Sequence, residues 1–562
     1  MKRLPFLIAV VLVSTSVSGQ PTPDQSRVST AVDVTIQNLD VVVTDAKGNP
    51  VHGLSVEDFQ LKQDGKIVRI SNFQEVGAST GPNQLETAVP AGDSRAAGSP
   101  SEPSRPGRQV VLFLDSLRLP EPDERMTFLG ALTELLHKTL GPGDQAMIVR
   151  WDGSIRSVLP FTSDMTMLER KLDQLVNDST LLPEEASQRE RVVEDTQWFN
   201  SVARLTGGRE ETAPTARVAA AQAYARMRSK GAALKGLLAT MGGLPGRKVL
   251  IMASNRFSRY AGMEFFLGGR ASFADQLDRD SREFDTKEIL AGIVQSANAH
   301  GVTLYTALTS SPRAFSGMVS AGATVGDFPT TRSDAAGAGD QLVWGNEMEA
   351  LEYVAQKTGG LTTGAVATLG ELIDHVVSDL GSWYSLGFPS APKKGDSSIS
   401  VQLRDPKLRA RLRGTLVVKA AEEQMKDRVL ANLFRKDDHS TLPITILPSA
   451  ATAKKGRATV PLQIRIPISS LALVPSAKGV SGAFSVFVAT AGSGGEFAEP
   501  TRQRKTFEIA QGDIEKAKLS HFTYELEVVT QSLESRISIG VWDEIGNEAG
   551  FRILSNSHPV AK

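Results

Sequence analysis

Cysteine is missing altogether from the 562 residues. Its absence excludes disulfides, thiolate metal sites, cysteine nucleophiles and a lipidated N-terminal cysteine. Net charge is also lacking: 62 Lys and Arg stand against 63 Asp and Glu, a formal charge of −1. A nucleic-acid binder needs a basic footprint, so no nucleic-acid partner is expected. Histidine is scarce. The seven residues His52, His137, His300, His375, His439, His521 and His558 lie more than 35 positions apart, which leaves no local zinc motif. No phosphate-binding glycine loop of either standard spacing occurs. No long apolar run follows the first twenty residues, so no membrane span is expected beyond them. The 41% apolar content is still enough for each of several domains to bury its own core.

What is present begins with an address. Lys2 and Arg3 form a positive start, and Leu4 to Val13 is apolar apart from Pro5. Val17 and Gly19 give a small-residue approach to cleavage before Gln20. Residues 1–19 therefore read as a signal peptide, because the run falls short of the roughly 20 residues a span requires. Export without disulfides fits a bacterial periplasm or the medium. The expected localisation is exported, periplasmic or extracellular.

Residues 28–76 read as a small N-terminal β unit. Apolar positions alternate through Val32, Val34 and Ile36, then through Leu39, Val41 and Val43. Dense turn signals follow at 45–50 and at Asp64-Gly65. Residues 77–107, rich in Gly, Ser, Pro and Ala, predict a flexible linker. From 108 to 418 strands alternate with helices. Val110 to Leu114 is a continuous apolar run ending at Asp115, as in a buried parallel strand. Met126, Leu129, Leu132, Leu135 and Leu136 share one helical face over 123–140. Further strands are predicted at 146–149, 155–161, 248–253, 302–307, 383–388 and 399–403. Helices are predicted at 164–176, 215–241, 284–300, 346–357 and 368–380. Insertions fall near 177–214, 255–282 and 310–340, the last read as a loop. The pattern predicts an α/β open sheet with helices on both faces. A connector over 419–440 leads to 441–562, where strands alternate throughout, which predicts an immunoglobulin-like β-sandwich without its disulfide.

Particular residues carry a resemblance. Phe113-Leu114-Asp115 ends the first strand of the α/β stretch, an amphipathic helix follows, then Ala146-Met147-Ile148-Val149 and Phe161-Thr162-Ser163-Asp164. Upstream stand Val41 to Val51 and Leu54 to Phe59, followed by Gln63-Asp64-Gly65; downstream comes Trp383 to Phe388. Residues 31–418 resemble the VWFA-related (von Willebrand factor A-like) family of exported acidobacterial proteins. The resemblance implies a fold more than an activity. Such domains often hold a divalent cation through Asp-x-Ser-x-Ser after the first strand, a loop Thr and an Asp after the fourth strand. Hard oxygen ligands of that kind suit Mg²⁺. On this chain the first position is Asp115, but the serine positions are Leu117 and Leu119, and the fourth strand ends at Ala253-Ser254-Asn255. Thr206, Thr212 and Thr215 are the available loop threonines. Asp115, Ser254 and Asn255 therefore read as vestigial ion-site positions, with no cofactor and no Mg²⁺ expected.

Gly77-Ala78-Ser79-Thr80-Gly81 matches a nucleophile-elbow spacing but opens a linker, where the strand–turn–helix setting is lacking. Residues 256–273 hold five aromatics. Phe257, Tyr260, Phe265 and Phe266, with Arg270, are the candidate partner-binding residues, because interfaces favour aromatics and Arg. The alternative is a local mini-core. Arg404, Lys407, Arg409, Arg411 and Arg413 form a basic stripe, either a solvated strand face or a contact for an anionic surface. The expected function is a non-catalytic adhesion or scaffold role, binding a protein at the loop edge of the A-like sheet. A hydrolase with a cleft beside the insertions and a structural envelope spacer stay open. Partner identity and oligomeric state are not legible in the sequence.

Overall fold

A computed structural model describes residues 35–77, 107–115, 122–176, 214–254, 256–266, 282–309, 332–363, 369–390, 396–417, 419–434, 440–454, 457–492 and 497–554. The expected signal segment, nearly all of the linker and most of the insertions near 177–214 and 310–340 lie outside the described residues. The chain opens with β1 (Thr35–Thr44), β2 (Phe59–Gln63), β3 (Lys66–Ile67) and β4 (Asn72–Gly77). The α/β run holds β5 (Gln109–Leu114), α1 (Pro122–Thr139), β6 (Gln145–Trp151), β7 (Ile155–Thr162), α2 (Met165–Val176) and α3 (Pro214–Gly242). It continues with β8 (Lys248–Ser254), α4 (Lys287–His300), β9 (Val302–Leu308), α5 (Arg332–Lys357), β10 (Thr362–Thr363) and α6 (Leu369–Gly381). Four strands and a helix follow: β11 (Ser382–Ser390), β12 (Ser397–Leu403), β13 (Arg409–Arg411), β14 (Thr415–Leu416) and α7 (Ala421–Asn432). The tail holds β15 (Thr445–Pro448), β16 (Thr452–Lys454), β17 (Arg457–Pro467), β18 (Val474–Ser476) and β19 (Gly479–Ala491). It ends with β20 (Thr501–Ala510), α8 (Ile514–Lys518), β21 (His521–Thr530), β22 (Arg536–Asp543) and β23 (Ala549–Leu554).

The central sheet has the order β10-β9-β8-β5-β6-β7, parallel throughout except for β7, which returns antiparallel on β6. Every residue of β5 is buried because helices cover both faces. Val110, Leu112 and Leu114 pack toward α1, α2 and α6, whereas Val111 and Phe113 pack toward α3, α4 and α5. Asp164 starts α2 as expected, its carboxylate accepting the Met167 amide at 3.1 Å. Two expectations need correction. Met126 is 57% exposed and lies off the buried stripe of α1. Part of the low-complexity stretch read as loop is helical, since α5 begins at Arg332.

The larger correction concerns the two strands after α6. They were expected in the A-like sheet, and they lie elsewhere. β11 pairs antiparallel with β1 and β4, and β12 pairs antiparallel with β2. Two four-stranded sheets result, β13-β1-β11-β4 and β14-β12-β2-β3. The N-terminal β unit is thus half of a β module that residues 382–416 complete. The reason is visible in the pattern. Tyr384, Leu386 and Phe388 are buried at every second position, the mark of a half-buried antiparallel strand. They meet Leu39, Val41, Phe59 and Leu61 in one core. Tyr384 ties it further: its ring lies 5.1 Å from Phe59 and 5.8 Å from Phe73, and its hydroxyl donates to the Val51 carbonyl at 2.9 Å.

The C-terminal region is a β-sandwich. One sheet is β15-β17-β16 with β21 also on β17; the other is β18-β19-β22-β23 with β20 also on β19. Val460, Leu462, Ile464, Phe484, Val486, Ile537 and Ile539 fill the space between them. The helical connector is more than a spacer. Met425, Val429, Leu430 and Leu433 of α7 and its end are buried in the same cluster as Leu234 and Leu238 of α3 and Phe487 and Phe551 of the sandwich. α7 therefore joins the α/β core to the outer face of one sandwich sheet.

A second tie joins the α/β domain to the β module. Asp379 of α6 is 1% exposed. It accepts two hydrogen bonds from Arg411, at 2.8 and 2.5 Å, and a third from the Tyr305 hydroxyl at 2.8 Å. Its backbone carbonyl takes a bond from Arg247 at 2.6 Å, and the Arg247 guanidinium lies 4.6 Å from the Trp383 ring. Burial, reinforced by the Asp379 charge, pushes the Tyr305 phenol well above its ordinary value, so it stays a donor.

Replacing Asp379 with Ala leaves Arg411 and Tyr305 facing a gap, with an expected loss of about 3–5 kcal/mol in denaturant unfolding. A loss below about 1 kcal/mol would show the tie to be incidental. For the sandwich, a 419–562 fragment that keeps α7 is expected to unfold at higher denaturant than a 441–562 fragment, whose Phe487 and Phe551 would face water. Equal midpoints would mean that α7 adds nothing to that face.

Candidate functional site

The site expected from the resemblance lies at the end of the sheet where β5 and β8 finish. Asp115 follows β5, and its amide donates to the Ala253 carbonyl at 2.9 Å, which fixes the carboxyl against the end of β8. The side chain is 1% exposed. Ser254 donates to its Oδ2 at 2.6 Å. Lys230 of α3, 5% exposed, donates through its ammonium to the same oxygen. The carboxylate that an A-like domain would offer to a cation here faces an ammonium supplied by the chain itself. A buried carboxylate without a counter-charge would be costly, and Lys230 compensates it.

Lys230 was not singled out from the sequence, although a signal existed. Met227, Leu234, Leu237, Leu238 and Met241 form the buried stripe of α3, and Lys230 sits on that stripe at i+3 and i−4 from its neighbours. A lysine on an apolar helical stripe asks for a buried acid. Among the other ion-site positions, Thr215 is exposed at the start of α3. Asn255, Leu117, Leu119, Thr206 and Thr212 lie outside the described residues.

The aromatic insertion behaves differently from the expectation of a partner surface. Phe257 is fully buried in the core under α3 and α4. Phe265 and Phe266 are 6% and 7% exposed and lie with Phe284 on Ala216, Ala219 and Ala220. The small side chains of α3 leave a shallow seat, and the rings fill it; Phe266 stacks on Phe284 with centroids 6.2 Å apart. Gly262 makes the approach possible. Its φ is +74°, and a Cβ there would lie 2.5 Å from the Ala220 Cα. The mini-core alternative therefore holds for Phe257, Phe265 and Phe266. Tyr260 alone of the four aromatic candidates is partly exposed, and Arg270 lies outside the described residues.

The same segment is clamped from α5. The Asn346 side chain accepts from the Tyr260 amide at 2.7 Å and donates to the Tyr260 carbonyl at 2.9 Å, as a neighbouring strand would. Arg259 pairs with Asp285 and lies 4.8 Å from the Tyr260 ring. The bond to Asp285 holds the Arg259 guanidinium above its ordinary value. These contacts hold a polar rim on the segment that follows β8, tied to α5 and to Asp285.

One cluster resembles hydrolytic machinery. Ser382, His52 and Glu75 come together on the β module, with Ser382 Oγ 3.2 Å and Glu75 Oε1 3.0 Å from the imidazole. Both contacts are to Nδ1. A proton relay needs the nucleophile and the orienting acid on opposite ring nitrogens, so this arrangement cannot activate the serine. The basic stripe also divides. Arg404, Lys407 and Arg409 are exposed, Arg411 is bound to Asp379, and Arg413 lies half-buried at the junction of the domains.

Together these observations define a multi-domain protein with a central open mixed sheet flanked by helices, of the generic Rossmann or von Willebrand A-like architecture. No protein-family model and no curated protein matches the chain. Solved structures similar to parts of it include proximal thread matrix protein 1 from the mussel byssus, at 13% identity and a TM-score of 0.21, covering 49% of this chain. The match spans 48% of the mussel protein's own length. An aerotolerance-related membrane protein from Bacteroides fragilis matches at 10% identity and TM-score 0.22, over 49% of this chain and 98% of its own. The pilus adhesin SpaC from Lactobacillus rhamnosus GG matches at 8% identity and TM-score 0.22, over 94% of this chain and 59% of its own. Likenesses this distant carry no functional argument. Among the described residues, no helix is long and apolar enough to cross a membrane.

Lys230→Met strands the Asp115 carboxylate, and the expected loss of stability is about 3–5 kcal/mol. The double variant Lys230→Met/Asp115→Leu removes both charges and is expected to recover most of it. Failure of the second change to recover stability would show that Lys230 acts through packing and not through the ion pair.

Proposed function

We propose that this chain is an exported, non-catalytic binding or scaffold protein of the VWFA-related kind, engaging a protein partner at the loop edge of its A-like domain without a bridging cation. The observation that supports the reading is the Lys230–Asp115 pair. An internal ammonium satisfies the one acid that the ion motif retains, with Ser254 as the second donor. Leucine at 117 and 119 supplies no side-chain oxygen for a cation. The rim formed by Tyr260, Arg259 and Asp285 is held by Asn346, so its contact groups are ordered before a partner arrives, which lowers the entropy cost of association.

Two measurements test the proposal. A ligand that binds only the folded state raises its stability, so millimolar Mg²⁺ or Ca²⁺ is expected to leave the melting temperature unchanged, as is EDTA. Partner capture by the mature protein from envelope extract is expected to be the same with and without EDTA, and to weaken in Tyr260→Ala. A cation-dependent rise in melting temperature that vanishes in Asp115→Ala would restore a metal-bridged mechanism and overturn the proposal.

A further inference from the structure

A cavity of about 1130 Å³ lies at the opposite end of the central sheet, where β5, β6 and β8 begin. Its walls come from the β module, the end of α4 and the connector helix α7, so the α/β domain, the β module and the connector meet there. Seven of its lining residues are Lys or Arg, against three carboxylates, Asp40, Asp144 and Asp427. Two of the acids are already engaged. Asp144 holds Arg108 at 2.6 Å, and Asp427 holds Lys419 at 2.5 Å with His300 at 3.5 Å. Arg247 is committed to the Asp379 carbonyl and the Trp383 ring.

Four of the lining cations, Arg247, Lys248, Arg413 and Arg428, form no ion pair among the described residues, and of these Arg247 and Arg428 lie against the rings of Trp383 and Phe551. Among the described residues the Lys248 ammonium donates to the Leu244 carbonyl alone, at 3.3 Å. Arg413 donates one Nη2 bond to the Asn38 carbonyl at 2.6 Å, while its buried Nε has no partner among the described residues. The two cations converge on one point. A Cβ built on Gly301 would lie 2.8 Å from Arg413 Nη1 and 3.9 Å from Lys248 Nζ. Gly301 caps α4 with φ +65°, and its lack of a side chain leaves room for both donors beside it. Asp40 lines the same cavity and forms no ion pair with either cation among the described residues.

We infer that this cleft binds a small oxyanion, the phosphate or carboxylate group of a soluble ligand, between Lys248 Nζ and Arg413 Nη1. The guanidinium offers Nη1 as a donor while Nη2 is held by the Asn38 carbonyl, and the ammonium supplies a second charge. Asp40 opposes the anion and tunes its affinity downward. The inference does not rest on the partner surface at the far edge of the sheet, and either can fail alone.

The site carries its own pH signature. Burial pushes the Lys248 ammonium down to about 8, and the Arg413 and Lys419 charges act in the same direction while Asp40 and Asp427 oppose them. Lys248 is cationic below that value and neutral above it. Anion affinity is therefore highest on the acid side and falls as pH rises through it, whereas the Arg413 contribution stays constant.

Isothermal titration of the mature full-length protein with inorganic pyrophosphate and with citrate, at fixed ionic strength, tests the site. Saturable binding of at least one is expected at about pH 7, weakening by about pH 9 as Lys248 loses its proton. Pyrophosphate alone would point to a phosphorylated ligand, citrate alone to a carboxylated one. Lys248→Met is expected to weaken binding by about tenfold or more and to flatten the pH dependence. Asp40→Asn is expected to tighten binding, a gain that a structural role for this acid would not produce. If Lys248→Met does not fold, the Asp40→Asn titration decides the matter. No saturable binding of either probe, or an affinity unmoved by Asp40→Asn, would overturn the inference.

Discussion

The arrangement of this protein depends on a buried carboxylate. Asp379 leaves the α/β domain at the end of α6 and meets Arg411 from the β module while also accepting from Tyr305 inside the sheet. Such a triple acceptor is worth keeping only if all its donors are present, because each would otherwise be stranded in a place of low polarity. The α/β domain and the β module therefore hold a fixed relation. The cavity between them and the placement of Arg413 two residues beyond Arg411 both follow from it. The second tie, through α7, is apolar. Met425, Val429 and Leu430 bury themselves against α3 and the sandwich, so the three parts of the chain are joined by one polar and one hydrophobic fastening.

Much of the fold was legible because period and burial coincide. Continuous apolar runs at 110–114 and 248–253 gave parallel strands, and the alternation at 460–466 gave a sandwich strand. Partnership was not legible. Nothing local in Tyr384 to Ser390 says that it pairs with Thr35 to Val41 across more than 300 residues. Its alternation was a clue to a half-buried antiparallel strand, but the strand–helix rhythm before it suggested another parallel neighbour. Long-range pairing is decided by which faces remain to be covered once the local elements exist.

The candidate site shows the same division. Asp115 is legible because it ends an apolar strand, and the leucines at 117 and 119 can be read directly. Its true partner, Lys230, is 115 positions away and hidden in an Ala-rich helix, where only its place on the buried stripe marks it out. The phenylalanines of the insertion were ambiguous for a physical reason: an aromatic in a loop is equally suited to a partner's pocket or to one in its own chain. The seat formed by Ala216, Ala219 and Ala220 resolves that ambiguity, since small residues spaced along one helix face admit rings from above. Arg411 and Arg413 were read as one stripe, yet the acid that claims Arg411 sits on another domain.

The insertion of the α/β domain between β4 and β11 has a mechanical consequence. Gly77 and Ser382 are opposite one another in register, so the segment that leaves the β module returns to it at the adjacent strand. Pulling the chain from its two ends loads β1 in one sheet and β14 in the other, and then the core between them. The six-stranded sheet lies outside that line of tension as a side loop whose ends are pinned together. Along the backbone it is bypassed for as long as the β4–β11 ladder holds, and it feels tension through α7 and the Asp379–Arg411 pair. Tension along the backbone would thus reach the β module and the sandwich before the six-stranded sheet, and the cavity walled by the β module would deform before the far edge of that sheet.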